Sequence, residues 1–310
     1  MTNAIALSPV VDAEWVFRRY ESVRDRLPTL PEGTPATTRS RDLSTLFDAY
    51  DVFVLDGFGV LNVGEAAIPD AVKRIGEMRA AGRRVIVLTN AATNPPAGTL
   101  DKYHRLGFDF TADEIVSSRD VTMAAMARFP AATRWGVTAH GPASMVGLPA
   151  NAFALGEDDA KYDEADAFIL LSGGAWDGAL HAHLVAALKR QPRPVLVANP
   201  DLVAPREDGL SIEPGYWAHD LMDATGVAAE FFGKPFGNAF DAVIERLGPD
   251  APPPHRMAMV GDTLHTDILG GRAAGFGTIL ITDHGIFAGQ EVDPYIDASG
   301  IVPHHIVETT

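Results

Sequence analysis

Residues 51–64 read DVFVLDGFGVLNVG: an apolar run of strand type that stops on Asp56 and then turns through Gly57 and Gly59. The apolar residues are continuous rather than alternating, which is the pattern of a strand buried on both faces in a parallel sheet covered by helices. Similar runs recur at Arg84–Thr89 (RVIVLT), Ile115–Ser117, Arg134–Thr138, Ala167–Leu171, Val195–Ala198, Glu230–Phe232, Met257–Val260 and Thr278–Thr282. Segments with apolar residues at helical spacing separate most of them: Ile68–Ala81, Asp120–Arg128, Gly178–Lys189, Trp217–Ala224, Ala239–Leu247 and Thr266–Ala274. Upstream, Val11, Trp15, Val16, Tyr20 and Val23 predict an opening helix that runs to Leu27, followed by a Pro/Thr/Gly-rich loop over Pro28–Arg41. The order predicts an α/β fold with a Rossmann-like parallel sheet.

The composition narrows the function. A chain of 310 residues allows about two domains. With 25 basic and 41 acidic residues its formal net charge is −16, which disfavours broad contact with nucleic acid or anionic lipid. A small anionic substrate remains compatible, because a metal ion or a donor cluster reverses the field within one pocket. The absence of cysteine excludes disulfides, thiol nucleophiles and thiolate metal sites, and it suits a cytoplasmic protein. The first residues, Met1 to Val11, lack a basic segment and a long apolar core, and no apolar stretch reaches the ~18–20 residues needed to span a bilayer. The expected partner is therefore a small molecule, neither nucleic acid nor membrane.

In open α/β sheets ligands lie beyond the carboxyl ends of the strands, so the residues at which the apolar runs stop carry the chemistry. Asp56 ends the first run; a buried carboxylate there serves as nucleophile, metal ligand or turn cap. Thr89 and Asn90 end RVIVLT and place hydroxyl and amide groups where a phosphate oxygen would sit. Lys234 follows FFG and precedes Pro235. Gly261, Asp262 and Asp267 lie in GDTLHTD after MAMV, and two acids at such a junction suit a magnesium site. Singly, each has an ordinary explanation as a cap, a turn or a solvated charge. Their joint order, each at a strand end, points to one site.

These segments resemble the four motifs of the haloacid dehalogenase (HAD) superfamily: motif I in Asp56–Leu61 (DGFGVL), motif II at Thr89–Asn90, motif III at Lys234–Pro235 and motif IV in Gly261–Asp267. The long insertion between motifs II and III, with VANPD at Val197–Asp201, resembles class IIA, the branch of NagD-type and 4-nitrophenyl phosphatases. The resemblance covers roughly residue 48 onward and leaves the opening helix outside. It implies a HAD-fold core with an inserted α/β cap: residues 1–41 as an N-terminal helix and loop, 42–133 and 213–310 as the core, and 134–212 as the cap. It also implies a phosphoric monoester hydrolase in which Asp56 attacks phosphorus and forms an aspartyl-phosphate. Mg²⁺ is then expected on Asp56, the backbone carbonyl of Phe58, Asp262 and Asp267. Thr89, Asn90 and Lys234 are expected on the phosphoryl group, with Lys234 also neutralising Asp56.

One position departs from the family pattern. Its motif I has the form DxDGV, whose second aspartate donates a proton to the leaving group; here that place is Phe58. General acid catalysis contributes about 10²–10⁴-fold. Three readings follow: a substrate with a good leaving group such as an acyl or aryl phosphate, another acid reaching in (Asn62, His265 or a cap residue), or a protein that binds a phosphorylated ligand with little or no turnover. His265 itself is expected as a solvent-facing turn residue. In the cap, Asn199 and Asp201 are candidate substrate contacts, and Ser172–Gly174 and Trp176 are candidate cleft residues. Arg206 is expected to pair with Glu207 or Asp208, the acidic segment Gly156–Asp166 to form a solvated loop, and Tyr216 and Trp217 to be core. The opening helix either packs on the main domain, the plainer account, or makes a homo-oligomer contact. A dinucleotide-binding reading of Gly57 and Gly59 fails for want of the third glycine, because position 62 is Asn62.

Overall fold

The computed structural model describes residues 11–206 and 209–310. Seven strands form one sheet in the order Thr38–Asp42, His305–Thr309, Gly277–Ile281, Met257–Gly261, Val52–Leu55, Arg84–Thr89 and Ile115–Ser117. Every neighbouring pair is parallel. The strand Val52–Leu55, fifth in this order, is wholly buried, and its run of apolar residues packs against helices on both faces. Its register sets Leu55 opposite Val260 on one side and Val87 on the other. Asp56, Thr89 and Asp262 therefore emerge side by side from three adjacent strands.

A second, five-stranded parallel sheet has the order Ala229–Phe231, Val195–Val197, Ala167–Leu170, Trp135–Thr138 and Ala152–Ala154. An antiparallel hairpin, Val203–Arg206 with Gly209–Ile212, leads out of it. The cap boundary expected at residue 212 moves. Strand Ala229–Phe231 hydrogen-bonds to Val195–Val197, and helix Pro214–Thr225 packs Ala218 and Leu221 into the cap's apolar cluster with Leu184 and Val197. The chain thus leaves the cap only at Phe232–Gly233, and the strand preceding Lys234 belongs to the cap rather than to the core.

Further corrections concern elements that carry few apolar residues. Thr38–Asp42 (TRSRD), expected as loop, is a strand on the edge of the core sheet, paired with His305–Thr309. Gly156–Asp166 is not a free loop: Asp159–Glu164 is a short helix that buries Tyr162, and Asp166 pairs with Arg134 at 2.8 Å. The segment after Asp262 begins as a wide helical turn, Leu264–Ile268, before an α-helix over Leu269–Ala273. The opening helix, Ala13–Ser22, is capped by the Asp12 carboxylate on the Trp15 amide and packs Val16 and Tyr20 onto its own chain. Of the start of the chain, Met1 to Val10 lies outside the described residues.

Candidate active site

Asp56 sits where strand Val52–Leu55 ends, its amide bonded to the Val260 carbonyl at 2.9 Å. Its Oδ1 receives the Lys234 ammonium at 2.5 Å and the Gly57 amide at 2.7 Å. No hydrogen-bond donor among the described residues occupies Oδ2. Lys234, buried to 1 % exposure, also pairs with Asp267 Oδ1 at 2.8 Å. Asp267 is fixed in turn by the Thr263 amide on Oδ2, and Asp262 by the Thr263 hydroxyl and the Ile286 amide. Oxygen atoms of Asp56, Asp262 and Asp267 lie within 4.8 Å of one another.

Close packing around Asp262 depends on two glycines of positive φ. A Cβ on Gly59 would meet the Asp262 carboxylate at 2.6 Å, and one on Gly285 would meet its Oδ2 at 1.8 Å. Burial and mutual repulsion govern the charges. Burial pushes the Asp56 carboxyl up to about 6, with Asp267 adding to the rise and Lys234 opposing it. Asp262 is driven well above the usual carboxylate range by burial, then by Asp267 and Asp56. Burial works against the Lys234 charge, but Asp267, Asp56 and Asp201 outweigh it and hold the ammonium above the ordinary lysine value. Three converging carboxylates served by one cation are a donor set that a divalent, oxygen-seeking ion fits, since such an ion would relieve the remaining repulsion.

The sequence-selected residues do converge, with differences of role. Thr89 is 2 % exposed and lines the cavity above Asp56 beside the Tyr103 hydroxyl. Asn90 is used internally: its Oδ1 accepts from the Lys234 amide at 2.8 Å, while its Nδ2 donates to the Lys234 carbonyl and to Asp201 Oδ1. The expected side-chain donation from Asn90 to a phosphoryl oxygen is thus replaced by a structural one that clamps Lys234 and Asp201 in place. Asp201 and Asn199 line the larger cavity, and Asp201 also reaches the Asp56 cavity. Burial drives the Asp201 carboxyl well up, with Asp56 and Asp267 adding and Lys234 opposing.

His265 is not solvent-facing. It is 2 % exposed, bonded through Nε2 to Glu21 at 2.6 Å and stacked on Tyr20 at 4.8 Å, so it anchors the opening helix rather than a leaving group. Asn62 is fully buried, with its amide nitrogen on the Gly64 carbonyl at 2.7 Å. Trp176 packs in the cap core, Trp217 against His181, and Tyr216 against Trp15. Arg206 pairs with Glu213 at 3.0 Å; Glu207 and Asp208 lie outside the described residues.

Above the Asp56 site opens a cavity of about 550 Å³ between core and cap, lined on the cap side by Ser172, Gly173 and Gly174 as expected. Two features of it escaped the sequence reading. Lys102, on helix Pro96–Arg105, is 8 % exposed and holds its ammonium 4.1 Å from the centre of the Phe58 ring; burial pulls it down to about 8. The Arg206 guanidinium lies 4.9 Å from the centre of the same ring. The Pro95–Pro96 pair hid the helix, and a lysine on an unread helix carries no signal.

Residues 53–147 match the family model of haloacid dehalogenase-like hydrolases, and residues 231–309 match a second HAD-hydrolase-like model. Chronophin from Homo sapiens is 30% identical over 280 residues, covering 83% of this chain and 89% of its own. Glycerol-3-phosphate phosphatase from Gallus gallus is 31% identical over 287 residues, covering 84% of this chain and 89% of its own. Among solved structures, a possible sugar phosphatase of the HAD superfamily from Cytophaga hutchinsonii superposes with a TM-score of 0.77 at 27% identity, over 88% of this chain and 98% of that one. With its motifs converging as described, the chain belongs to the haloacid dehalogenase superfamily of hydrolases, in the class IIA phosphatase branch.

Proposed function

We propose that the protein is a Mg²⁺-dependent phosphatase of a small phosphorylated metabolite, working through an aspartyl-phosphate on Asp56. The observation that carries this reading is the pairing of Asp56 with Lys234 through one oxygen only, beside two further carboxylates. The second oxygen of Asp56 is left without a hydrogen-bond donor among the described residues, and Asp56 lines the cavity. There it attacks phosphorus, the bond to the leaving oxygen breaks, and water later releases phosphate from Asp56. Lys234 keeps Asp56 ionised despite burial and offsets charge on the phosphoryl group, while the Thr89 hydroxyl meets a phosphoryl oxygen. Asp56, the Phe58 carbonyl and Asp262 would hold Mg²⁺, with Asp267 in support; bound there, the ion would neutralise phosphoryl charge and its repulsion from the carboxylates. Asn199 and Asp201 are assigned to the substrate side.

The phenyl ring at position 58 favours a second reading, a phospho-ligand-binding protein with little turnover, since no carboxyl is present at that place to protonate an alkoxide. Hydrolysis of 4-nitrophenyl phosphate and acetyl phosphate with Mg²⁺ separates the two. Turnover that disappears in Asp56→Asn supports the phosphatase. Turnover that persists in Asp56→Asn defeats the covalent route, and no turnover of either probe favours the binding reading. Among the described residues no helix is long and apolar enough to cross a membrane. We place the protein in the cytoplasm on the absence of cysteine.

A further inference from the structure

The substrate's leaving half passes Phe58 and enters the larger cavity, whose lining carries cations as well as the carboxylates of Glu65, Asp201 and Glu213. Two side chains stand over the Phe58 ring, Lys102 at 4.1 Å and Arg206 at 4.9 Å, and both line that cavity. They differ in their counter-charges. Arg206 is matched by Glu213 at 3.0 Å and donates to the Ser211 hydroxyl at 2.9 Å; Glu213 also accepts from Asn199. The ammonium of Lys102 forms no ion pair within 4.0 Å among the described residues; Glu65 is the charge that acts on it most strongly, from beyond that distance, and the side chain is only 8 % exposed. Asp201, a further acid of the cavity, accepts from the Asn90 side chain at 2.8 Å. A buried cation without a close counter-ion is costly, and a ligand anion that reaches it regains that cost.

Resting on the phosphatase reading above, we infer that Lys102, with Arg206 beside it, forms a second anion subsite, so that the preferred substrates are small phosphomonoesters whose alcohol half bears its own carboxylate or second phosphate. Thr93, Asn94 and Ser172 add neutral polar groups around it. The cavity is of the size that suits a small metabolite. The ring of Phe58 gives the subsite a floor that cations favour and that no anion can bond, leaving the ligand's charge to Lys102.

Three probes of similar skeleton test this: glycerol 3-phosphate with no second anion, 3-phosphoglycerate with a carboxylate, and glycerol 1,3-bisphosphate with a second phosphate. The readout is the ratio of kcat/KM between each charged probe and glycerol 3-phosphate, in which any general loss of activity cancels. The ratio is expected to be about tenfold or more for at least one charged probe, the two arms telling carboxylate from phosphate. It is expected to collapse toward one in Lys102→Met and to be largely kept in Lys102→Arg. A ratio near one in the wild type, or a ratio unchanged in Lys102→Met, overturns the subsite. Calorimetric binding of the same probes to Asp56→Asn reads the subsite without turnover. A charge-dependent Kd that Lys102→Met abolishes supports the subsite even if no probe is hydrolysed, in which case the phosphatase reading alone fails.

Discussion

At residue 58 a side chain without a proton stands where the family's acid is expected, and the consequence is a dependence on the leaving group. Phe58→Asp is expected to raise glycerol 3-phosphate turnover about 10²-fold while changing 4-nitrophenyl phosphate turnover far less, because nitrophenolate leaves without protonation; steady-state kinetics on both substrates check it. An unchanged rate on the alkyl ester would mean that proton donation does not limit this protein. Lys234 answers to a different argument. It is the buried cation between Asp56 and Asp267, so Lys234→Met leaves like charges facing each other. A loss of about 3–5 kcal/mol is expected in urea unfolding at neutral pH, narrowing on acidification as the abandoned carboxylates take up protons. Residues whose chemistry is rare at a strand end, Asp56, Thr89, Lys234, Asp262 and Asp267, were legible because the apolar run before each one fixed its place. Lys102 and the internal use of Asn90 were not, since both depend on neighbours distant in the chain.

Buried strands announced themselves by their apolar runs, and the two sheets follow from them. The elements that escaped are those whose residues do not need to be buried. Thr38–Asp42 is a polar edge strand held by backbone pairing, and the hairpin Val203–Arg206 with Gly209–Ile212 is only partly covered. The cap boundary was missed because helix Pro214–Thr225 has an apolar face that suits either sheet, and only tertiary packing chooses. That helix carries a pH-sensitive residue. His219 is 1 % exposed and stacks on Phe231 at 4.9 Å; burial, with help from Arg26 and Arg19, depresses it to about 3. The unfolded chain therefore binds a proton near pH 6.5 that the folded chain refuses until about pH 3. Stability is intact above pH 6.5 and is lost as pH falls below it, with a slope approaching ~1.4 kcal/mol per pH unit from this one site. Urea titrations from pH 7.5 to 4.5 are expected to show a steeper decline for the wild type than for His219→Leu. Parallel declines would mean that His219 is protonated in the folded cap.

The described residues form two large sheets with a catalytic seam between them, and the opening helix, outside the family pattern, bridges that seam. Toward the core, Val16 and Tyr20 share an apolar cluster with Leu264, Ile268 and Phe287, and Glu21 holds His265. Toward the cap, Trp15 packs against Tyr216, Arg19 pairs with Asp223 at 3.0 Å, and Arg26 pairs with Asp223 and donates to the His219 carbonyl. Between the two, the Tyr20 hydroxyl accepts from the Leu202 amide, one residue beyond Asp201. Packing and charge should separate in their effects. The Asp223 pairs are partly exposed, and such pairs contribute up to about 1 kcal/mol each, so Arg19→Ala with Arg26→Ala is expected to lower global stability by less than about 2 kcal/mol. Tyr20→Ala removes a ring that is 2 % exposed and is expected to cost about 3–5 kcal/mol. The double arginine variant nevertheless cuts the charged link to the cap, so amides of Pro214–Thr225 should exchange faster with deuterium while those of Val52–Leu55 keep their protection. Equal protection of the cap helix in variant and wild type would show that the helix rests on the cap without restraining it.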